Sequence, residues 1–333
     1  MGYDTLQSQV TKEEFDYSCK MIGLLADYFE HVVVGQKSLE TSLLTAVLAD
    51  GHVLIESVPG LAKTTAAKAI ADAVDGKFSR IQCTPDLLPG DIIGTQIFNR
   101  ETSKFDTVLG PVFANFVLLD EVNRSSAKTQ SAMLEAMQEH QVTIGTQSYN
   151  MPEDVFIVIA TQNPIEQEGT YPLSEAQTDR FMIKEVISYP IAAEEVEILN
   201  RIENNAFVKR PAVMGIKDID MLQKIASKVY VDESIKWYIS AIVTATRGPE
   251  RLLGEKMASY VKMGASPRAS IAFLRTAKAT ALLNGRTYVV PDDVKQMARS
   301  VLRHRIALNY SAIADKVSVE MIIDAITSAL KAP

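Results

Sequence analysis

The run HVLIES (52–57), followed by VPGLAKTT (58–65) and a helical stretch at 66–74, constrains this 333-residue chain more than any other feature. An apolar strand that empties into a tight loop and then at once into a helix is the building unit of parallel α/β sheets. Four more β-rich runs, at 79–83, 116–120 (FVLLD), 155–161 (VFIVIAT) and 182–188, alternate with helical stretches. Two segments interrupt that alternation as hairpins, one at 94–108 with its turn at 99–103 and one at 141–151. Thr11 and Glu14 have the spacing of a capping box that opens an amphipathic helix running toward His31.

The loop itself has a chemical reading. A phosphate-binding loop, GxxxxGK(S/T), turns backbone N–H groups around phosphate oxygens and adds a lysine for charge and a hydroxyl for magnesium. Val58, Pro59, Gly60, Leu61, Ala62, Lys63, Thr64 and Thr65 supply the loop, with Lys63 and Thr64 in the last two roles. Ser57 and Ala62 stand where the motif has its glycines, so the strict pattern fails. Ala62 adds only a methyl at the closest approach to phosphate, and is tolerated there if its φ is negative. The competing reading is an ordinary tight turn before a helix.

The strand FVLLD ends in two consecutive acids, Asp120 and Glu121, and burying carboxylates there is costly without a cation or water to serve. Asp120 is the candidate for holding Mg2+, together with Thr64, and Glu121 for orienting or deprotonating the attacking water. The strand VFIVIAT ends in QNP, and Asn163 can polarise that water or touch the terminal phosphate; Asn-Pro is also a common turn.

From residue 191 onward the apolar spacing is helical almost throughout, at 194–205, 218–229, 234–247 and 268–284, with a further helix opened by Pro291-Asp292-Asp293. The chain therefore divides at about 190 into an α/β part and an all-helical part. Apolar residues at 47% and charged residues at 23% exclude disorder and coiled-coil rods. Cys19 and Cys83 are too few for a disulfide framework, and read as buried or partly buried thiols of a reducing compartment. With no charged leader and no apolar run of about 20 residues, the expectation is a cytoplasmic protein with no membrane span. The net charge of −7 argues against a nucleic-acid partner, although residues 251–305 carry a local +8. That excess reads either as solvated helix faces or as a basic surface that attracts the acidic remainder of another copy. His31, His52, His140 and His304 lack metal-ligand spacing; Trp237 and Tyr238 read as packing residues, and Glu194, Glu195 and Glu197 as a solvated face.

Three longer stretches carry a resemblance: GPVFANFVLLDEVNRSSAKTQSAMLEAMQEHQVTIG (110–145), IATQNPIEQEGTYPLSEAQTDRF (159–181) and GASPRA (264–269). With VVGQ (33–36) and the phosphate loop, the chain resembles the AAA+ ATPases of the MoxR family from about residue 32 to 308. The resemblance implies a five-stranded parallel αβα sandwich followed by a helical lid, with ATP and Mg2+ at their junction and at a boundary between subunits. It puts Val34, Gly35 and Gln36 near the adenine and makes Asn163 the first sensor. Arg180, in DRF, would reach the neighbouring subunit's γ-phosphate, and Arg268, in GASPRA, would be the lid arginine that senses nucleotide. Asn123, Arg124 and Glu135 would make subunit contacts, and the two hairpins would point toward the centre of a homo-oligomeric, hexameric ring. Family members work as chaperone-like factors with von Willebrand factor A domain partners, in metal or cofactor insertion and complex assembly.

Three functions follow, in this order: an ATP-hydrolysing remodelling or maturation factor, a nucleotide-dependent binding switch without turnover, and a nucleic-acid motor. Glu121 argues against the second. The acidic total, and the lack of aromatic residues interleaved with the basic ones, argue against the third.

Overall fold

The computed structural model describes residues 9–58, 60–165 and 169–333. Helix α1 (Lys12–Val32) opens on the expected capping box, with Thr11 N donating to Glu14 Oε2 at 3.0 Å and Glu14 N donating to Thr11 Oγ1 at 3.2 Å. Helix α2 (Lys37–Leu48) leads to β1 (Val53–Glu56), the loop, α3 (Lys63–Ala73) and β2 (Phe78–Gln82). A short α4 (Pro89–Ile93) and the hairpin β3 (Gly94–Asn99) with β4 (Lys104–Leu109) precede β5 (Phe116–Asp120). Then come α5 (Ala127–Glu139), the second hairpin β6 (Gln141–Ile144) with β7 (Gln147–Asn150), and β8 (Ile157–Gln162). Finally α6 (Glu175–Thr178) and β9 (Ile183–Val186) complete the α/β region.

The five apolar runs form one parallel sheet in the order β2-β5-β8-β1-β9. Its centre is dry: Leu54, Phe116, Val117, Leu118 and Val158 are fully buried, and cutting Phe116 to alanine there would cost about 3–5 kcal/mol. Register decides where the chemistry lies. Gln82 pairs with Asp120 and Glu56 with Gln162, so the segments that follow β1, β5 and β8 all leave the sheet at one edge. In open parallel sheets that carboxyl edge is where ligands bind.

The remaining helices are α7 (Ala192–Glu203), α8 (Ile216–Ser227), α9 (Glu233–Ala245), α10 (Glu250–Ala258), α11 (Pro267–Leu283), α12 (Pro291–Leu302), α13 (Tyr310–Ala314) and α14 (Val319–Ala329). This region is not wholly helical, because β10 (Val261–Met263) and β11 (Ala307–Leu308) form a short antiparallel ladder. Contacts separate two compact units. One comprises 23–181 and 185–220; the other comprises 182–184, 221–333 and the described residues up to Ile22. The contact boundary thus falls at 220, whereas the change of periodicity falls at 190.

In the helical unit, Asp293 is 1% exposed, accepts from Val290 N at 2.9 Å to cap α12, and pairs with Arg286. Arg299 pairs with Asp324 and Arg303 with Glu320, so part of the local +8 is balanced inside this unit. Tyr238 is buried, as expected, but Trp237 is 70% exposed. Adjacent helical residues point about 100° apart, so the packing of one turns the other outward. Cys83 is buried, with its thiol pushed up to about 12 by burial, whereas Cys19 is exposed on α1 rather than shielded.

Candidate nucleotide site

The loop after β1 must reverse direction within six residues, and it does so through left-handed backbone. Gly60 has φ +86°. Ala62 has φ +54° and ψ +21°, so the condition of a negative φ under which alanine is tolerated is not met. A side chain in that region costs about 1–2 kcal/mol. Ala62 is also the N-cap of α3 and has no side chain that can cap it, so the first-turn N–H groups of α3 stay available to an anion. Lys63 begins the helix and is 9% exposed; its Nζ lies 3.4 Å from the Ser57 carbonyl, across the loop. Burial lowers the Lys63 pKa, partly opposed by the charges of Asp120 and Glu121. Pro59 lies outside the described residues, as do residues 166–168 of the 159–181 stretch.

At the end of β5, Asp120 is buried and Glu121 turns away with φ +58°. Arg80 donates to Asp120 Oδ2 from Nε at 3.1 Å and from Nη2 at 2.5 Å, and Thr161 Oγ1 donates to Oδ1 at 2.9 Å. Thr161 Oγ1 in turn accepts from Glu121 N at 2.9 Å, which fixes the spacing of the two acids. Glu121 Oε2 accepts from Gln82 Nε2 at 3.2 Å and from Arg124 Nη1 at 3.3 Å. Arg80, Gln82 and Thr161 escaped the sequence reading. The signal for the first two was a pair of polar residues two apart in a strand, which share one face of the sheet. For Thr161 there was none.

A cavity of about 580 Å³ opens beside the loop, walled by Ala62, Thr64, Thr65 and Ala69 of the loop and α3, by Tyr28 and residues 31–34, and by Ile198, Ile202, Phe207 and Val208. The wall is largely apolar, with Lys68, Asp72 and Lys209 also on it. Val34 lines it as expected; Gly35 and Gln36 follow with φ +66° and +54°. A Cβ at Gly35 would stand 2.4 Å from Glu194 Cδ and push that side chain aside, and the φ of +66° at Gly35 favours glycine. Glu194 is thus not simply a solvated residue: it packs on Gly35 and accepts from Ile191 N at 3.0 Å. The segment 207–210 is tied over the cavity, with Tyr28 Oη donating to Arg210 O at 3.2 Å and the His31 ring 3.1 Å from Val208 O. None of α7 or this segment was expected at the base pocket.

Asn163 is buried at the end of β8, where its Oδ1 accepts from Ile165 N at 3.1 Å, closing the Asn-Pro turn. Asn123 is used internally, its Nδ2 donating to Asn163 O and its carbonyl accepting from Tyr171 N at 2.6 Å, while Glu135 is exposed on α5. Arg180 Nη1 donates to the Leu134 carbonyl at 2.9 Å, and its buried Nε has no hydrogen-bond partner among the described residues. Arg268 belongs to the other compact unit, where its N–H donates to Ser266 Oγ at the start of α11. His52 is structural: its Nδ1 accepts from Val158 N, its Nε2 lies 3.1 Å from Met137 O, and burial pushes it down to about 4.

Among the described residues no cluster of three His, Cys, Asp or Glu could hold a metal by itself. One carboxylate, Asp120, and one hydroxyl, Thr64, are hard oxygen donors, and so sparse a set fits a magnesium ion that arrives with phosphates and keeps its waters. No helix among the described residues is long and apolar enough to cross a membrane.

Comparison with known proteins agrees with this geometry. Residues 52–183 match the ATPase family associated with various cellular activities (AAA), and residues 256–326 match the AAA lid domain. Chaperone MoxR1 of Mycobacterium tuberculosis is 47% identical over 91% of this chain and 80% of its own. Protein MoxR of Paracoccus denitrificans is 30% identical over 84% of this chain and 86% of its own. A crystal structure from Cytophaga hutchinsonii, of a protein assigned as an ATPase, has a TM-score of 0.90 at 46% identity, covering 97% of this chain and 98% of that one.

Proposed function

Because the chain belongs to the MoxR family of AAA+ ATPases, we propose that it binds ATP with Mg2+ in the cavity beside α3 and hydrolyses it. The observation that carries this reading is shared residues: Ala62, Thr64 and Thr65 belong both to the uncapped start of α3 and to the wall of a largely apolar cavity. In it the α3 N–H groups and Lys63 hold phosphate oxygens, and residues 34–36 border the base. Thr64 and Asp120 would hold Mg2+, which when bound neutralises charge on the phosphates. Glu121 takes a proton from, or orients, the attacking water, and Asn163 polarises it. Arg180 of an adjacent copy stabilises charge on the γ-phosphate, and Arg268 reports nucleotide to a lid. The division of labour is 1–190 for nucleotide and 191–333 for the lid, except that the first part of the latter, 198–209, also walls the cavity.

Supplying Arg180 across a boundary makes turnover depend on assembly, for which a hexameric ring in the cytoplasm is the proposed form. The name of the M. tuberculosis relative supports a chaperone-like role, here the maturation of protein complexes or the insertion of metals or cofactors, with a von Willebrand factor A domain partner. The test is hydrolysis by the parent and by Glu121→Gln over a range of protein concentrations. The parent's specific activity should rise with concentration as copies assemble, while the variant binds ATP and turns over about 100-fold or more slowly. Parental turnover by Glu121→Gln, or activity independent of concentration, sinks the catalytic or the shared-site half respectively.

A further inference from the structure

Asp120, the carboxylate offered to the metal, already has a cation. Arg80 lies on β2, the strand beside β5, and in the parallel register Arg80 sits opposite Leu118 while Gln82 sits opposite Asp120. Residues two apart on a strand share a face, so Arg80 and Gln82 project on the same side as Asp120. The guanidinium reaches along that face and covers Oδ2 with two donors, Nε and Nη2, while Thr161 covers Oδ1. Nη2 also donates to Gln82 Oε1 at 3.0 Å. The two partners are unequally held: the Asp120 side chain is 10% exposed and that of Arg80 is 49% exposed. The carboxylate is fixed by the sheet and by Thr161; the guanidinium can move into water at little cost to itself, but buried Asp120 then needs another cation in its place.

We propose that Arg80 is an internal counter-ion that occupies Asp120 before nucleotide arrives and is displaced by Mg2+, so that this one residue sets the magnesium dependence of nucleotide binding. The inference rests on the ATP and Mg2+ reading above. Arg80 fills Oδ2 with two donors and repels a second cation drawn to the same carboxylate, so Arg80 and Mg2+ compete for Asp120; with the Arg80 side chain 49% exposed, the pair is weak enough to be exchanged yet strong enough to be felt. Losing it raises the affinity of Asp120 for the competitor. Arg80 touches neither phosphate nor water in this scheme; it acts through Asp120, as a positioning residue.

The test uses the full chain and a fluorescent N-methylanthraniloyl ATP analogue, titrated with MgCl2 from an EDTA-buffered start. In Arg80→Gln the Mg2+ concentration at half-maximal binding should fall about three- to tenfold, with affinity in EDTA unchanged. Arg80→Lys keeps the charge but loses the fork, and should fall between the two. It also guards against a folding failure of the glutamine variant, since the lysine form keeps the ion pair. A midpoint within twofold of the parent's in both variants, or one that rises, overturns the proposal, because a mere structural brace would weaken metal binding or leave it alone. Failure of the parent itself to bind the analogue at saturating Mg2+ instead removes the ATP reading, so the two failures are distinguishable.

Discussion

At the end of β5, Asp120, Glu121, Arg80, Gln82, Arg124 and Thr161 hold one another through hydrogen bonds of 2.5–3.3 Å. The cavity beside α3 is walled mostly by apolar side chains without directional demands, among them Val32, Val34, Ile198, Ile202, Phe207 and Val208, with Lys68, Asp72 and Lys209 also on it. A polar network works by distance and angle, and each member removed leaves a partner unsatisfied. An apolar wall works by area, is non-directional, and tolerates change in proportion to the surface lost. Removing a member on the polar side should therefore cost more per atom than trimming the apolar side, where the loss follows the area removed.

The largest effect that tests this contrast is at Lys63. Lys63→Ala takes the cation from the loop before α3 and should weaken ATP binding by about 100-fold, read by titration calorimetry; a loss under fivefold would mean that backbone N–H groups alone carry the phosphate. Next comes the apolar wall. Phe207→Ala removes ring area from a partly exposed position and should weaken nucleotide binding about five- to tenfold, with turnover at saturation unchanged. If turnover falls as steeply as affinity, the wall also orients the phosphates and the two regions are not separable.

The smallest effect is at Ala62. Glycine fits its left-handed backbone without a Cβ clash but is costlier to order, so Ala62→Gly should stabilise the chain by about 0.5–1 kcal/mol in thermal unfolding. Destabilisation would show that the methyl packs usefully in the cavity wall, which would move this residue from the polar region to the apolar one.

The same contrast explains what was legible beforehand. Asp120 and Glu121 are neighbours at the end of one apolar strand, and Lys63 and Thr64 sit in one loop, so short windows of sequence contain them whole. The five strands and both hairpins were legible for the same reason: periodicity of two and turn residues are local signals. The base pocket is different. Tyr28 and Phe207 are brought to one cavity from opposite ends of the α/β unit, and nothing in either segment names the other. Trp237 was read as packing because an aromatic residue in a helix usually does, but helical phase put Tyr238 inside and Trp237 out. The sign of φ at Ala62 was not legible, because composition says nothing of handedness where a loop must close onto a helix.

By itself the sequence determined the alternating α/β order, the phosphate loop, the paired acids and the family, since each depends on residues close along the chain. The tertiary structure alone decided that Arg80 pairs with Asp120, that Thr161 spaces the acids, and that α7 walls the cavity beside α3. The reason is physical: strand register and helix packing set distances between residues that share no local pattern, and hydrogen bonds and ion pairs exist only once those distances fall within reach.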